Sequence, residues 1–245
     1  QNKLRMKILI VSDMIDPFVY SSSISEMFGY VDCVLCAGDL SMDYIDFIVS
    51  TLNKPTYFVF GNHNLKELKY FHKEARKEDE RFEEYPCGSI YAGFKVLQDT
   101  NLMWTRPGDS KPTPLLIAGI SGSRDYNHGL CQYTESQMKL KLLKLVPKLM
   151  INKIKYGRYL DIFLTHATPR HVHDHEDNCH KGFKVFNEFI KKYKPTYMVH
   201  GHIHLYDQSE PRISRYDDSI IVNAYGHYVI DLPVTDISDI PVITD

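Results

Sequence analysis

Short runs of β-branched and aliphatic residues recur along the chain, and most of them end in a polar cluster. KILIVSD (7–13), VDCVLCAGD (31–39) and PTYFVFGNH (55–63) are three such runs, read as largely buried strands. Between the last two, DYIDFIVSTL (43–52) carries apolar residues at helical spacing. The alternation predicts βαβ units. SIYAGFKVL (89–97) and PLLIAGISG (114–122) read as further strands, separated by TRPGDSKPTP (105–114), a loop by its Pro and Gly content. Residues 65–84, dense in charge of both signs, predict a solvated helix laced with i,i+4 pairs. Thr134 opens a long helix through the capping-box string TESQ, and Pro147 should kink or divide it.

LDIFLTH (160–166) and TYMVHGHIH (196–204) are strands that run into histidines, with the amphipathic helix KVFNEFIKKY (184–193) between them. Residues 169–182 hold four histidines without periodicity and read as a polar loop. SIIVNAY (219–225) and HYVIDL (227–232) are expected to close the chain as antiparallel strands. No internal repeat or linker is visible, so residues 1–245 are read as one α/β domain of two stacked sheets flanked by helices.

Charge narrows the classes of partner. Lys and Arg number 29 against 31 Asp and Glu, a net charge of −2. That excludes bulk attraction to nucleic acid or to an anionic membrane, and leaves a local basic patch open. No apolar run approaches the roughly 18 residues of a spanning helix. The first residues lack the apolar core of a signal peptide. The five cysteines have no paired spacing and are expected to be reduced thiols, with Cys33 and Cys36 on opposite faces of one strand. The expected setting is cytoplasmic, with no membrane partner.

The strand ends supply the candidate chemistry: Asp13, Asp39, Asn62, His63, His166, His202 and His204. Carboxylate, carboxamide and imidazole ligands suit Mn, Fe, Zn or Ni. Two such metals about 3.5–4 Å apart form a clamp for phosphoryl transfer. A free histidine beside them could protonate a leaving alkoxide. Singly, each signal is common, because a lone strand-end histidine is more often structural. The ordered set SD, GD, GNH, TH and GHIH, each after an apolar strand, is not.

That order resembles the calcineurin-like metallophosphoesterase superfamily, whose motifs run D-x-H, G-D, G-N-H-D/E, H and G-H-x-H. The resemblance runs from Val11 to His204. It implies a four-layer α/β/β/α sandwich, metallo-dependent phosphatase-like, with one or two divalent ions at the sheet edge. Asp39 would bridge the ions, Asp13 and His204 would hold the first, and Asn62, His166 and His202 the second. His63 would be the catalytic acid while a metal-bound hydroxide attacks phosphorus. The substrate would be a phosphomonoester or phosphodiester, with a small nucleotide-type molecule favoured.

Two departures from the pattern stand out. D-x-H reads Asp13-Met14-Ile15, so one imidazole of the first ion is missing; Asp16, or less readily Tyr20, could substitute as ligand or outer contact, or Asp16 could be a loop carboxylate near Pro17. Asn64 stands where the family carries an acid that orients the histidine before it. Arg124, His173 and His180 are candidate substrate contacts, with a surface turn and a polar loop as the alternatives. Two other functions on the same fold stay open: a nuclease, which needs a basic groove, and a non-catalytic interaction module. Apolar residues on more than one face of the 134–156 helix leave a homodimer contact open.

Overall fold

The computed structural model describes residues 4–76, 85–207, 210–234 and 240–244. In chain order the elements are β1 (Met6–Ser12), α1 (Ile24–Phe28), β2 (Cys33–Cys36), α2 (Met42–Leu52), β3 (Thr56–Phe58), β4 (Ile90–Tyr91), β5 (Lys95–Trp104), β6 (Thr113–Ile120), β7 (Ser123–Arg124) and β8 (Gln132–Tyr133). There follow α3 (Glu135–Leu143), α4 (Val146–Tyr156), β9 (Ile162–Thr165), α5 (Lys184–Tyr193), β10 (Tyr197–His200), β11 (Ile213–Tyr216), β12 (Ser219–Asn223), β13 (Gly226–Leu232) and β14 (Val242–Ile243).

The strands form two large sheets. One has the order β13-β1-β2-β3-β4, the other β14-β11-β12-β10-β9-β6-β5. Ile8, Ile10, Leu35, Val59, Ile117, Leu164 and Val199 face one another in the core between the sheets. Each outer face is apolar too, which is why the strands read as continuous runs. Leu9, Val34 and Cys36 pack outward with Tyr44, Ile45 and Ile48 of α2. Phe163 and Met198 pack outward with Phe186, Phe189 and Ile190 of α5, and with Leu142 and Leu149 of α3 and α4. The result is the expected α/β/β/α sandwich. Cys33 lies in the inner core and Cys36 in an outer one, as a period of two requires.

Local sequence signals set several element ends. Ser41 caps α2 by accepting from the Tyr44 backbone N–H at 3.4 Å. Thr134 and Gln137 form the capping box of α3, each side chain accepting from the other's backbone N–H. Pro147 divides the long helix and sits in the first turn of α4, where its missing N–H costs nothing.

Two expectations change. Over 65–76 the chain forms only two short 3₁₀ turns, Leu68–Tyr70 and Lys73–Ala75, and 77–84 lie outside the described residues. The charges there set no apolar stripe, whereas Phe71 has partners: its ring lies 5.0 Å from Tyr91 and 5.4 Å from both Phe58 and Phe60. Aromatic packing prevailed over i,i+4 pairing. Likewise β12 and β13 do not pair with each other. β12 joins β10 and β11 in one sheet, and β13 runs antiparallel to β1 in the other. Gly226, at φ +69°, starts the new strand where the chain changes sheets.

This topology positions the site. β1, β2 and β3 are parallel neighbours, so Asp13, Asp39 and Asn62 leave one sheet at the same edge. β9 and β10 are parallel neighbours in the other sheet, and deliver His166 and His202 to that edge. A backbone bond from Gly201 N to His166 O, 3.0 Å, ties the two loops together.

A candidate metal centre at the sheet edge

Asp39, His166 and His202 each point one ligand atom into a cluster in which these atoms lie within 4.8 Å of one another. Asn62 joins them, its Oδ1 3.2 Å from His166 Nε2 and its Nδ2 donating to the Tyr126 hydroxyl at 3.2 Å. The donor chemistry fits a borderline divalent ion. So does the support behind it. His166 Nδ1 donates to the Ala37 carbonyl at 2.9 Å, which leaves Nε2 for the cluster. His202 Nε2 donates to the Cys179 carbonyl at 2.7 Å, which leaves Nδ1. Each imidazole has one nitrogen bonded to a backbone carbonyl and one left for ligation.

Backbone conformation serves the same end. Asp13, Asp39 and His202 all adopt positive φ, at +67°, +55° and +69°. Left-handed backbone at non-glycine residues is costly and is retained where a side chain must be aimed. The glycines of the GD, GNH and GHIH strings permit close approach. A Cβ on Gly38 would meet His166, one on Gly61 would meet Asp39 and His166, and one on Gly201 would meet Ser12 and Asp13.

Electrostatics couple the cluster. Burial opposes charge on Asp39, but His166 beside it, with Oδ2 3.4 Å from Nε2, outweighs burial and holds the carboxyl well below its usual range. Burial pulls His166 down as well, yet Asp39 wins and holds the metal-free imidazole at about 9. His202 has little such support: burial and the positive His166 lower it to about 3, so it stays neutral and able to ligate. Burial raises the Asp13 carboxyl despite His166 and the hydroxyl of Ser12.

The other half of the edge is looser. Both Asp13 oxygens accept from the His202 backbone N–H at 3.0 Å, and Ser12 Oγ donates to one of them at 2.5 Å. His204 Nε2 lies 3.8 Å from Asp13, while its ring meets Tyr206 and Tyr225. Ile15 is 52% exposed and supplies no donor. Asp16 is turned elsewhere. One oxygen accepts from the Phe18 backbone N–H at 2.9 Å and the other lies 2.7 Å from His227 Nδ1.

The His63 backbone N–H donates to Asp39 Oδ1 at 2.7 Å, and the residue is exposed. Asn64 Nδ2 donates to the Asp39 carbonyl at 2.8 Å, so this asparagine braces the GD turn. The His180 ring lies 5.2 Å from that of His202 and is held by Asp177, which makes it a rim residue. Arg124 is half-buried on β7, with a side chain that takes no partner among the described residues. His173 is bonded at both ring nitrogens. Its Nδ1 donates to His200 Nε2 at 2.9 Å and its Nε2 accepts from Ser214 Oγ at 2.8 Å. His200 then donates to Gly201 O at 2.9 Å. Burial lowers His173 to about 4, and the pair is neutral and fully bonded.

Several supports lay outside the sequence reading. Ala37 and Cys179 contribute only carbonyls, for which no side-chain signal exists. Tyr126 was visible in GISGSRDYNHG, and Ser12 in the SD string, but neither is one of the candidate donors of the ordered motifs.

Residues 6–206 match the family model of the calcineurin-like phosphoesterases, and the chain belongs to that family. One solved crystal structure superposes with a TM-score of 0.59 at 14% identity, covering 93% of this chain and 95% of the other. At that identity the likeness is one of fold alone. TT1561 of Thermus thermophilus covers 90% of this chain and 89% of its own, at 16% identity and a TM-score of 0.49. Vacuolar Protein Sorting 29 from Cryptosporidium parvum covers 91% and 75%, at 13% identity and 0.39. These last two superpose too loosely to carry an argument. No curated protein matches the sequence. Among the described residues no helix is long and apolar enough to cross a membrane.

Proposed function

We propose that residues 1–245 form one metal-dependent phosphoesterase domain that hydrolyses a phosphomonoester or phosphodiester, with a small nucleotide-type substrate favoured. The observation that carries this reading is the convergence of Asp39, Asn62, His166 and His202, with each histidine's second nitrogen bonded to a backbone carbonyl. Those four residues would hold a divalent ion of the Mn, Fe, Zn or Ni kind. When bound, the ion supplies Lewis-acid polarisation of a phosphoryl oxygen and a water of lowered pKa. Asp13 and His204 are the residues for a second ion, held more weakly without an imidazole at position 15.

The chain's own groups do the rest. His63, tied to Asp39 through its backbone N–H and exposed to solvent, donates a proton to the leaving oxygen. Asp39 fixes the His63 backbone, and Asn64 fixes Asp39. Arg124 offers a fork for a phosphoryl oxygen. His180 forms part of the rim, and Tyr206 and Tyr225 give an aromatic flank beside His204 that suits a base. The test is turnover of bis-p-nitrophenyl phosphate in added Mn²⁺ with metal content measured on the same sample. His63→Ala should lower kcat by roughly 10²–10⁴-fold. No bound metal and no turnover with any divalent ion would overturn the proposal in favour of a non-catalytic module.

A further inference from the structure

Away from the sheet edge, α3 and α4 form a local concentration of positive charge on a chain whose net charge is −2. From Ser136 to Tyr156 there are six lysines and no acid. Lys141 is turned inward over the rings of Phe94 and Tyr133, at 4.3 and 4.4 Å. Lys139 lies 3.7 Å from Glu188. Lys144, Lys148, Lys153 and Lys155 form no ion pair among the described residues, although Glu74 is near enough to Lys144 to feel its charge.

The same face exposes large aliphatic side chains. Leu140 is 62% exposed, Leu143 54%, Ile151 54% and Ile154 84%. On α4, Met150, Ile151 and Ile154 share one side of the helix; Lys148 and Lys155 border it on one margin and Lys153 on the other. Beside this stripe, Leu143 and Val146 open onto a cleft of about 270 Å³ between α3 and α5, lined also by Val185, Phe189 and Tyr193.

The composition discriminates between occupants. Protein interfaces favour aromatic residues and Arg and are depleted in Lys. Here every exposed cation is Lys and the exposed apolar residues are Leu, Met and Ile. A second copy in a twofold contact would set this patch against itself, lysine against lysine. An anionic lipid surface satisfies both features. Aliphatic side chains enter the boundary between headgroups and acyl chains, while lysines extend to the headgroups. Although the sequence predicts no membrane partner, we propose that the α3–α4 face docks on anionic phospholipid membranes, and that it does so independently of the metal centre.

The experiment is co-sedimentation of the full chain with vesicles of phosphatidylcholine, alone or with roughly 30% phosphatidylglycerol. Partition onto the anionic vesicles should be at least about tenfold greater at low salt, and should fall steeply near 1 M salt. The double variant Ile151→Glu/Ile154→Glu should abolish it, with an unchanged circular dichroism spectrum and unchanged phosphoesterase turnover. Lys148→Gln/Lys155→Gln should weaken it. Equal partition onto neutral and anionic vesicles overturns the proposal. So does binding that survives the double glutamate variant. A dimer that dissociates on Ile154→Glu, seen by ultracentrifugation without vesicles, also overturns it and assigns the face to a second copy.

Discussion

His166 is fully buried, with Nδ1 bonded to the Ala37 carbonyl and Nε2 beside Asn62 and Asp39, whereas the His204 side chain is 38% exposed and leans on two tyrosines. The two histidines stand for the two halves of the site. The His166 half has four donors, carbonyl braces behind both imidazoles and tight glycine turns. The His204 half has Asp13, an aromatic flank and an isoleucine where an imidazole is expected. The contrast teaches that donors alone do not make two halves alike: the groups bonded behind them differ.

Removing a donor from each half should break the comparison most sharply. His166→Ala should lower divalent-metal affinity by more than about 100-fold, since loss of an outer support alone costs roughly 10–100-fold. His204→Ala should cost about tenfold or less on the same scale. Calorimetric titration of both variants with Mn²⁺ checks this, and equal losses would erase the asymmetry.

Proton competition should come next. His166 in the metal-free chain is held at about 9, above its ordinary value, so it carries a proton that the metal must displace. Affinity at the buried half should therefore rise by roughly tenfold per pH unit up to about 9 and then level off. The same shift works in the opposite direction on the stability of the metal-free chain. The pairing with Asp39 contributes fully below the ordinary histidine value near 6.5 and is lost as pH rises through about 9. A metal affinity that is flat between pH 7 and 9 would contradict this assignment.

The smallest expected change is in stoichiometry. Ile15→His should restore the missing imidazole and raise bound metal from about one ion per chain towards two, because each half then has its full donor set. Elemental analysis reads the difference. Unchanged stoichiometry would mean that the loop after Asp13, pinned by the bond between Asp16 and His227, cannot turn position 15 inward.

Much of the candidate site was legible because its residues follow strands directly. An apolar run that stops at Asp, at Gly-Asp or at Gly-Asn-His marks both a strand end and a donor, and parallel strands bring such ends together. The capping box at Thr134 and the division at Pro147 were equally local. Over 65–76 the expected helix gave way because charge pairing is a small term, outweighed by the rings around Phe71. His173 looked like a pocket residue by its neighbours in sequence. Its partners, His200 and Ser214, lie 27 and 41 residues away and bond both of its ring nitrogens.

The amino-acid sequence alone determined the alternation of strands and helices, the order of the donors and the gap at position 15. These depend on periodicity, turn chemistry and residue identity, which act over a few residues. Only the tertiary structure decided that Asp16 goes to His227 across 211 residues, that the chain changes sheets before Gly226, and that Ala37 and Cys179 brace the two buried imidazoles. Those outcomes depend on which groups meet once both sheets have formed. A buried polar atom takes whatever partner the fold brings within reach, and the local sequence does not encode that partner.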